Sequence, residues 1–243
     1  MYRVYLISEL VGSLLVPILI SYFLWKSLLE TNQLGYDLKG MMMYIVISNL
    51  ILLFTQIHAE HELENDIKTY RLGQKLLRPI NYLKSVSYSH IFASVAVFTI
   101  LYLPIIVLSL FFLDVNIQML QIGYFAITLI IGLLLNSLFS FIIGLLSFWL
   151  TEIWGVAAIR DLLTSLLSGA IFPLDILPTN IEKIMLMTPF PYMTYIPSKV
   201  ITDPNFNVKT ITSGLMISLA WVIGLTIITY LLVRNGFKKY TSN

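Results

Sequence analysis

Long apolar stretches dominate this chain. A helix that crosses the hydrocarbon core of a membrane needs ~20 consecutive, mainly apolar residues. With 58% hydrophobic residues and a mean hydropathy of +0.84 over 243 residues, the chain carries more apolar surface than a water-soluble domain of this length can bury. The sequence therefore predicts an all-α membrane protein with one transmembrane domain over residues 1–243. Its six predicted spans are residues 10–29, 41–57, 91–113, 120–150, 153–171 and 211–233.

The composition argues against several classes of function. A net charge of +2 gives no reason to expect a nucleic-acid partner, and the lack of cysteine excludes disulfides and cysteine metal sites. The chain has no GxxxxGK[ST] motif, so it lacks this means of binding ATP, and we expect it to bind no cofactor. An ion-coupled carrier would need ionisable groups at mid-membrane, and a membrane-embedded enzyme would need a nucleophile or metal cluster. These two functions remain the alternatives to a transport subunit that another protein powers.

The distribution of basic residues predicts the orientation. Six spans place both termini on one side, together with the loop at residues 60–89. That side holds nine lysines and arginines and the other side holds five. Because basic residues accumulate on the cytoplasmic side, we expect both termini in the cytoplasm of a bacterial cell membrane. The nine are Arg3, Lys68, Arg71, Lys75, Arg78, Lys84, Arg234, Lys238 and Lys239, and the five are Lys26, Lys39, Lys183, Lys199 and Lys209.

Residues 60–79 combine a helical apolar spacing with a high density of charge. Leu63, Ile67, Tyr70, Gln74 and Leu77 repeat at helical intervals, which predicts an amphipathic helix on the cytoplasmic membrane surface. Acids at its start and bases at its end suit the helix dipole, and a proline at position 79 ends it. The segment is either a solvated connector or a docking surface for a cytoplasmic partner. The charged residues on its other faces are Glu62, Asp66, Lys68, Arg71, Lys75 and Arg78.

The segment between the fifth and sixth predicted spans is too apolar for a free loop and too rich in proline to span a membrane. The spacing of Ile181, Ile184, Met185 and Thr188 predicts a short amphipathic helix after Pro178. The segment either dips into the outer leaflet as an extracellular cap or anchors the chain in the belt of interfacial aromatic residues. Its candidate residues are Pro173, Asp175, Pro178, Phe190, Tyr192 and Tyr195.

A few charged residues lie near the cytoplasmic ends of the spans. Arg160 and Asp161 are adjacent in the sequence and therefore point about 100° apart on a helix, so we expect each to pair with another helix. Glu9 and Glu152 are the expected partners of Arg160. A charge at mid-membrane costs on the order of 3 kcal/mol unless it is paired. The group either fixes helix packing as an ion pair or belongs to a gate.

The sequence HELEN at residues 61–65 resembles a metalloprotease motif only in part. His58 and His61 are three residues apart and Glu62 is beside them, but Asn65 stands where HExxH requires a second histidine. We therefore expect no metal site here.

Several phrases in the sequence together resemble a known family. They occur in order along nearly the whole chain: DI at residues 66–67, LLRPI at 76–80, FWLTEIWG at 148–155, SGAIFPLDILP at 168–178, and a Pro-Phe, tyrosine and proline phrase at 189–197. On these phrases the chain looks like a permease of the ABC-2 type, from the bacterial six-span exporters. This resemblance calls for a glycine in the turn before the LLRP helix, where this chain has Tyr70.

The resemblance implies a membrane subunit of an ATP-driven exporter. Two ATPase subunits, which bind ATP and magnesium, would dock beneath two permeases that are identical or homologous. The charged segment at residues 60–79 would then be the coupling element, and the segment before the last span would be the extracellular cap. An amphiphilic, lipid-like, peptide or antibiotic-type cargo fits the apolar chain. Membrane lipid is the remaining expected partner.

Overall fold

The computed structural model describes residues 12, 15–31, 35–77, 82–112, 118–203 and 208–242. Within these residues the ordered elements are all helical, in agreement with the predicted all-α class. The α-helices are α1 (Val16–Thr31), α2 (Leu38–Thr55), α3 (Ala59–Lys68), α4 (Arg71–Leu76), α5 (Tyr82–Val97), α6 (Leu103–Phe112), α7 (Met119–Leu146), α8 (Trp154–Leu167), α9 (Thr179–Leu186), α10 (Tyr195–Thr202) and α11 (Val208–Ser242).

Four helical segments in the described part of the chain are long and apolar enough to cross a membrane. They contain the second and sixth predicted spans and most of the third and fourth. The first of the four joins α2 to α3 across a break at residues 56–58. The predicted first span overlaps α1, whose 16 residues are fewer than the ~20 that a crossing helix needs, so six spans remain a prediction. The four segments are Leu38–Lys68, Tyr82–Phe111, Met119–Leu146 and Ile211–Lys239.

The predicted fifth span, residues 153–171, forms a shorter helix than the sequence predicted. Its helix, α8, has 14 residues and therefore rises ~21 Å, which is short of the ~30 Å hydrocarbon core. It ends because Gly169 adopts a left-handed backbone with φ of +76°, a conformation that terminates helices. The next residues turn into the protein, where Ser168 and Ala170 are buried.

The third span contains a local change in helix geometry. A π-helical turn at Phe98–Tyr102 separates α5 from α6. Pro104 lies two residues after this turn. A proline has no N–H to donate to the carbonyl four residues earlier, and its ring crowds that carbonyl. The wider π turn accommodates this disruption within a continuous helical segment.

The long helix α7 is the scaffold against which the functional segments pack. A Cβ atom added at Gly144 would lie 2.9 Å from the Leu63 Cβ and 3.0 Å from the Glu60 Cα, both in α3. A Cβ added at Gly132 would lie 2.9 Å from the carbonyl oxygen of Met193, just before α10. The two glycines are 12 residues apart, or ~18 Å along the helix. Both α3 and the segment before α10 therefore approach α7 closely because each meets a glycine, which has no side chain.

Replacing Gly144 with alanine should lower the free energy of unfolding by about 1–3 kcal/mol, because the methyl group would overlap the backbone of α3. Thermal unfolding of the purified protein in detergent measures the effect. Gly224→Ala is the matched control, since an added Cβ there meets no described atom within 4 Å. Equal melting temperatures for the parent and both variants would contradict the close packing of α3 on α7.

Candidate functional site

The charged segment at residues 60–79 is not the single helix that the sequence predicted. It forms α3 and α4, which meet at an elbow where Tyr70 has a φ of +57°. Tyr70 is the only non-glycine residue with positive φ in the part of the chain that the structure describes. The left-handed conformation costs roughly 1–2 kcal/mol for a residue with a side chain. Its ring is 78% exposed at the turn where the family resemblance called for a glycine.

The buried face of α3 carries charge as well as apolar side chains, contrary to the prediction that the charges occupy the exposed faces. Leu63 and Ile67 are buried, but so are the carboxylates of Glu60 and Asp66. This face packs on α7. Leu77, which was expected on the apolar side, is instead 88% exposed. The segment is therefore built into the protein along α3 and projects from it at the elbow and the end of α4.

Lys75 holds the three helices around the elbow together. Its ammonium lies 2.5 Å from Asp66 Oδ2 and 3.0 Å from Glu62 Oε1, both in α3. In α5, the Tyr82 hydroxyl donates to the same Asp66 oxygen at 2.6 Å, and His90 Nε2 lies 3.1 Å from Glu62 Oε2. Burial alone would lower the pKa of Lys75, but its hydrogen bonds to Asp66 and Glu62 raise the pKa above its usual value.

The remaining residues predicted to couple to an ATPase have different surroundings. Lys68 lies 2.7 Å from Glu64 Oε1 and 3.2 Å from Glu152 Oε1. Arg71 is exposed at the start of α4. Arg78 lies outside the described residues. Three of the six predicted residues, Glu62, Asp66 and Lys75, thus take part in internal contacts of the elbow.

A second polar cluster surrounds the buried side chain of Arg160 in α8. Its Nη2 atom lies 2.7 Å from Glu60 Oε1, and its Nη1 atom donates to the Ile57 carbonyl at 3.1 Å. Ser140 of α7 donates its hydroxyl to the other Glu60 oxygen and accepts from the Glu60 N–H at 3.1 Å. The cluster therefore joins α8, α7 and the break between α2 and α3.

The expected partners of Arg160 need correction. Glu152 contacts Lys68 instead, because it lies at the exposed connection between α7 and α8. Glu9 lies outside the described residues. Asp161 contacts Arg160 at 2.8 Å despite its place on the helix, because the long arginine side chain can bend back over the helix surface. The sequence did not single out Glu60, since the 100 residues that separate it from Arg160 leave no local pattern.

His58 adds a group whose contacts depend on protonation. Its Nδ1 atom lies 3.0 Å from Arg160 Nη2 and 3.1 Å from Glu60 Oε1. A neutral Nδ1 accepts from the arginine, whereas a protonated Nδ1 donates to the carboxylate. Ligand atoms of His58, Glu60 and His61 lie within 4.8 Å of one another. The arginine side chain already neutralises Glu60 there, and its positive charge disfavours a metal ion.

A third cluster closes the opposite end of the molecule and was not predicted as a unit. We call it the clasp: Tyr36 before α2, Asp175 after α8, and Lys199 in α10. The Tyr36 hydroxyl donates to Asp175 Oδ2 at 2.7 Å, and Lys199 Nζ lies 2.7 Å from the same oxygen and 2.8 Å from the Tyr36 hydroxyl. Asp203 lies 3.6 Å from Lys199 Nζ.

Protonation keeps the clasp intact. Burial and the hydrogen bond to Asp175 raise the pKa of Tyr36 well above its usual value. Burial alone would lower the pKa of Lys199, but the hydrogen bond and the charge of Asp175 raise it above its usual range. Tyr36 therefore stays neutral and Lys199 stays charged at physiological pH.

The segment predicted as a cap forms part of the core beneath the clasp. The helix expected after Pro178 is confirmed as α9. Tyr192 and Tyr195 are buried, so they do not belong to an interfacial aromatic belt. Phe190 stacks against Phe139 of α7 at 5.6 Å between ring centroids. Among the other predicted residues, Pro173 is buried beside the clasp and Pro178 is exposed.

Hydrogen bonds fix this segment to the membrane helices. The Tyr44 and Ser48 hydroxyls of α2 donate to the Gly169 and Ala170 carbonyls at 2.5 and 2.9 Å. The Tyr192 hydroxyl donates to the Leu186 carbonyl at 2.7 Å, and burial raises the pKa of Tyr192 to about 12. The buried carbonyls at the end of α8 are therefore satisfied within the protein.

Asn136 of α7 contacts both the region of the Arg160 cluster and the segment before α10. Its side-chain oxygen accepts from the Ile57 N–H at 3.4 Å, next to the Arg160 cluster. Its nitrogen lies 4.0 Å from the Met193 sulfur, in the segment before α10. One buried amide thus contacts both the break between α2 and α3 and the segment that lies under the clasp.

Comparison with known proteins identifies the family. No curated protein and no solved structure matches the chain. A family model described as an ABC-2 family transporter protein matches residues 15–243, which contain the elbow, the Arg160 cluster and the clasp. Members of this family are membrane components of ABC transporters. The chain therefore belongs to the ABC-2 transporter family and is a multi-pass membrane permease.

Proposed function

We propose that this permease is the membrane subunit of an ATP-driven exporter. A separate ATPase, with its own ATP and magnesium, supplies the energy, because this chain has no P-loop. Two ATPases and two permeases, identical or homologous, form the working unit in a bacterial cell membrane with both termini in the cytoplasm. The cargo is amphiphilic, in the range of lipid-like molecules, peptides and antibiotics. The observation that carries this proposal is the elbow between α3 and α4.

The elbow has the properties of a docking element. Tyr70 and Leu77 expose most of their surface, Arg71 is exposed next to the tyrosine, and the Lys75 contacts hold the turn in one shape. A rigid, exposed aromatic residue beside an arginine suits a protein partner, since these residue types dominate binding energy at interfaces. The mixed charges around it favour an oriented contact over simple adhesion to anionic lipid.

The Arg160 cluster couples movement of the elbow to the helices around the proposed cargo pathway. The elbow is the end of α3, whose Glu60 is bound to Arg160 of α8. The end of α8 leads directly into the segment held by Tyr44 and the clasp. A displacement of the elbow by the ATPase therefore reaches α8 through a buried ion pair, and reaches the far end through α8.

The clasp and the segment under it form the gate at the outer end. Asp175 and Lys199 bind each other and Tyr36 at the surface, while Met193 and Tyr195 fill the core below. Opening of this gate requires separation of α10 from the start of α2. The apolar lining beneath the clasp suits a cargo with a large hydrophobic part.

Replacing Tyr70 with glycine tests the docking role while it keeps a residue suited to the left-handed backbone of the elbow. Glycine adopts the left-handed conformation at no steric cost, so the fold should be unchanged or slightly more stable. Loss of the exposed ring should reduce copurification of the ATPase, coexpressed from the same host, and permease-stimulated ATP hydrolysis by about tenfold. Lys183→Ala, an exposed change on α9, is the control and should leave both unchanged. Full copurification and stimulation with Tyr70→Gly would refute docking at the elbow.

Cysteine labelling tests the proposed orientation. The chain has no native cysteine, so a single introduced cysteine is the only residue in the chain that the thiol reagent can label. Asn180→Cys, exposed on α9, should react with a membrane-impermeant thiol reagent in intact cells, and Gln74→Cys, exposed on α4, should react only after the cells are broken. The reverse pattern would overturn the orientation.

A further inference from the structure

A groove outside all three clusters opens between α1, α2 and α6. It has a volume of about 480 Å³, which falls within the ~300–1,000 Å³ of typical ligand pockets. Tyr22 of α1, Met42 and Met43 of α2, and Ser109 of α6 line it. The Ser109 hydroxyl donates to the Ile106 carbonyl at 2.7 Å, so this wall offers no free polar group to a ligand.

The groove has one charged residue, at one end. Lys39 lines it near the start of α2, and Val46, seven residues further along the helix, lines it ~10 Å deeper. Lys39 is exposed, and no acidic side chain pairs with it among the residues that the structure describes. The nearby carboxylate of Asp37 is engaged as the cap of α2, where it accepts from the Gly40 N–H at 3.1 Å. The lysine therefore presents its positive charge to a ligand in the groove.

The position of the groove limits the kind of molecule that could meet this charge. Lys39 lies three residues from Tyr36, so it lies at the clasp end of the molecule, while the apolar part runs down α2 within a membrane-crossing segment. A molecule that fills both the lysine end and the apolar end of the groove needs an apolar chain that reaches into the membrane and an anionic group at the membrane surface. A phospholipid has this arrangement, and methionine side chains adapt readily to a flexible chain.

We propose that this groove binds one acyl chain of an anionic phospholipid of the outer leaflet, with the lipid phosphate at the Lys39 ammonium. The leaflet follows from the proposed orientation, whereas the binding itself does not depend on it. Because α1 and α2 form two walls and α6 forms the third, the bound lipid stabilises the arrangement of these three helices.

Native mass spectrometry of the detergent-purified, delipidated chain tests the proposal. With phosphatidylglycerol as the probe, the parent should retain bound lipid and prefer it to phosphatidylcholine. Lys39→Gln should weaken phosphatidylglycerol binding at least fivefold, and Lys39→Arg should restore it. Val46→Phe, which fills the deeper part of the groove, should weaken the binding of both lipids. Lys183→Gln removes an exposed lysine outside the groove and should match the parent.

Three outcomes would overturn the proposal. The first is equal phosphatidylglycerol binding by the parent and Lys39→Gln. The second is an equal loss in Lys39→Gln and Lys183→Gln, which would reveal only general attraction between lysines and an anionic lipid. The third is competition by soluble glycerol phosphate at the same concentration as the lipid, which would show that the acyl chain contributes nothing. None of these results bears on ATPase docking at the elbow, so the two proposals fail separately.

Discussion

Replacing Arg160 with alanine should reduce the free energy of unfolding by about 3–5 kcal/mol, the usual cost of removing one partner from a buried ion pair. Glu60 has no exposed surface, so its charge would be left without a cation, and the Ile57 carbonyl would lose its donor. We expect little folded protein in the membrane and a much lower melting temperature in detergent. Thermal unfolding and fluorescence-detected gel filtration measure both effects.

Two further variants separate the ion pair from simple loss of packing. The double variant Glu60→Gln with Arg160→Ala removes both charges and should recover part of the lost stability, because no unpaired charge remains. Arg71→Ala, an exposed arginine on α4, should change the melting temperature little. If Arg160→Ala melts with the parent, or if the double variant is no more stable than Arg160→Ala, the ion pair does not hold α8 to α3.

Replacing Lys199 with methionine should open the outer gate. A hydrogen bond to a charged group contributes about 1.5–3 kcal/mol, so loss of the Lys199 contacts should favour the open gate by about tenfold or more. The reporter is Met193→Cys, a fully buried position in the segment just before α10, the helix that carries Lys199. Its reaction rate with an impermeant thiol reagent should rise about tenfold in the Lys199→Met background, together with ATP hydrolysis in the absence of cargo.

Lys183→Met in the same reporter background is the control, because Lys183 is exposed on α9 and takes no part in the clasp contacts. Asp175→Asn should resemble Lys199→Met, since it removes the other charge of the same pair. An unchanged reaction rate in both clasp variants would show that the clasp does not limit access to the core.

The sequence predicted those helices whose length and hydropathy are determined by the need to cross the bilayer. A lipid-exposed backbone must satisfy its hydrogen bonds within one helix, so length and hydropathy identified the second, third, fourth and sixth spans. The helix of the fifth is shorter than predicted because hydropathy does not register a single left-handed residue. Gly169 ends α8 within an apolar run, and the carbonyls that follow are satisfied by Tyr44 and Ser48, more than 100 residues away in the sequence.

The sequence drew attention to the charged residues of the candidate site but did not predict their contacts. The density of charge at residues 60–79 and the isolated Arg160 were visible, because charge is rare in this chain. Amphipathic spacing placed the charges outward, whereas Glu60 and Asp66 point inward to partners on other helices. The clasp was missed for the same reason, since Tyr36, Asp175 and Lys199 come from three distant segments.

The break between α2 and α3 occurs at a place where two helix ends face each other inside the protein. The carbonyl groups at the end of α2 carry partial negative charge, and the start of α3 carries partial positive charge. Arg160 donates to the Ile57 carbonyl on one side of the break, and Glu60 lies in the first turn of α3 on the other. One ion pair thus neutralises both helix dipoles. A change in the angle between α2 and α3 would separate these charges unless α8 moves with them, so any bending at the break would involve all three helices.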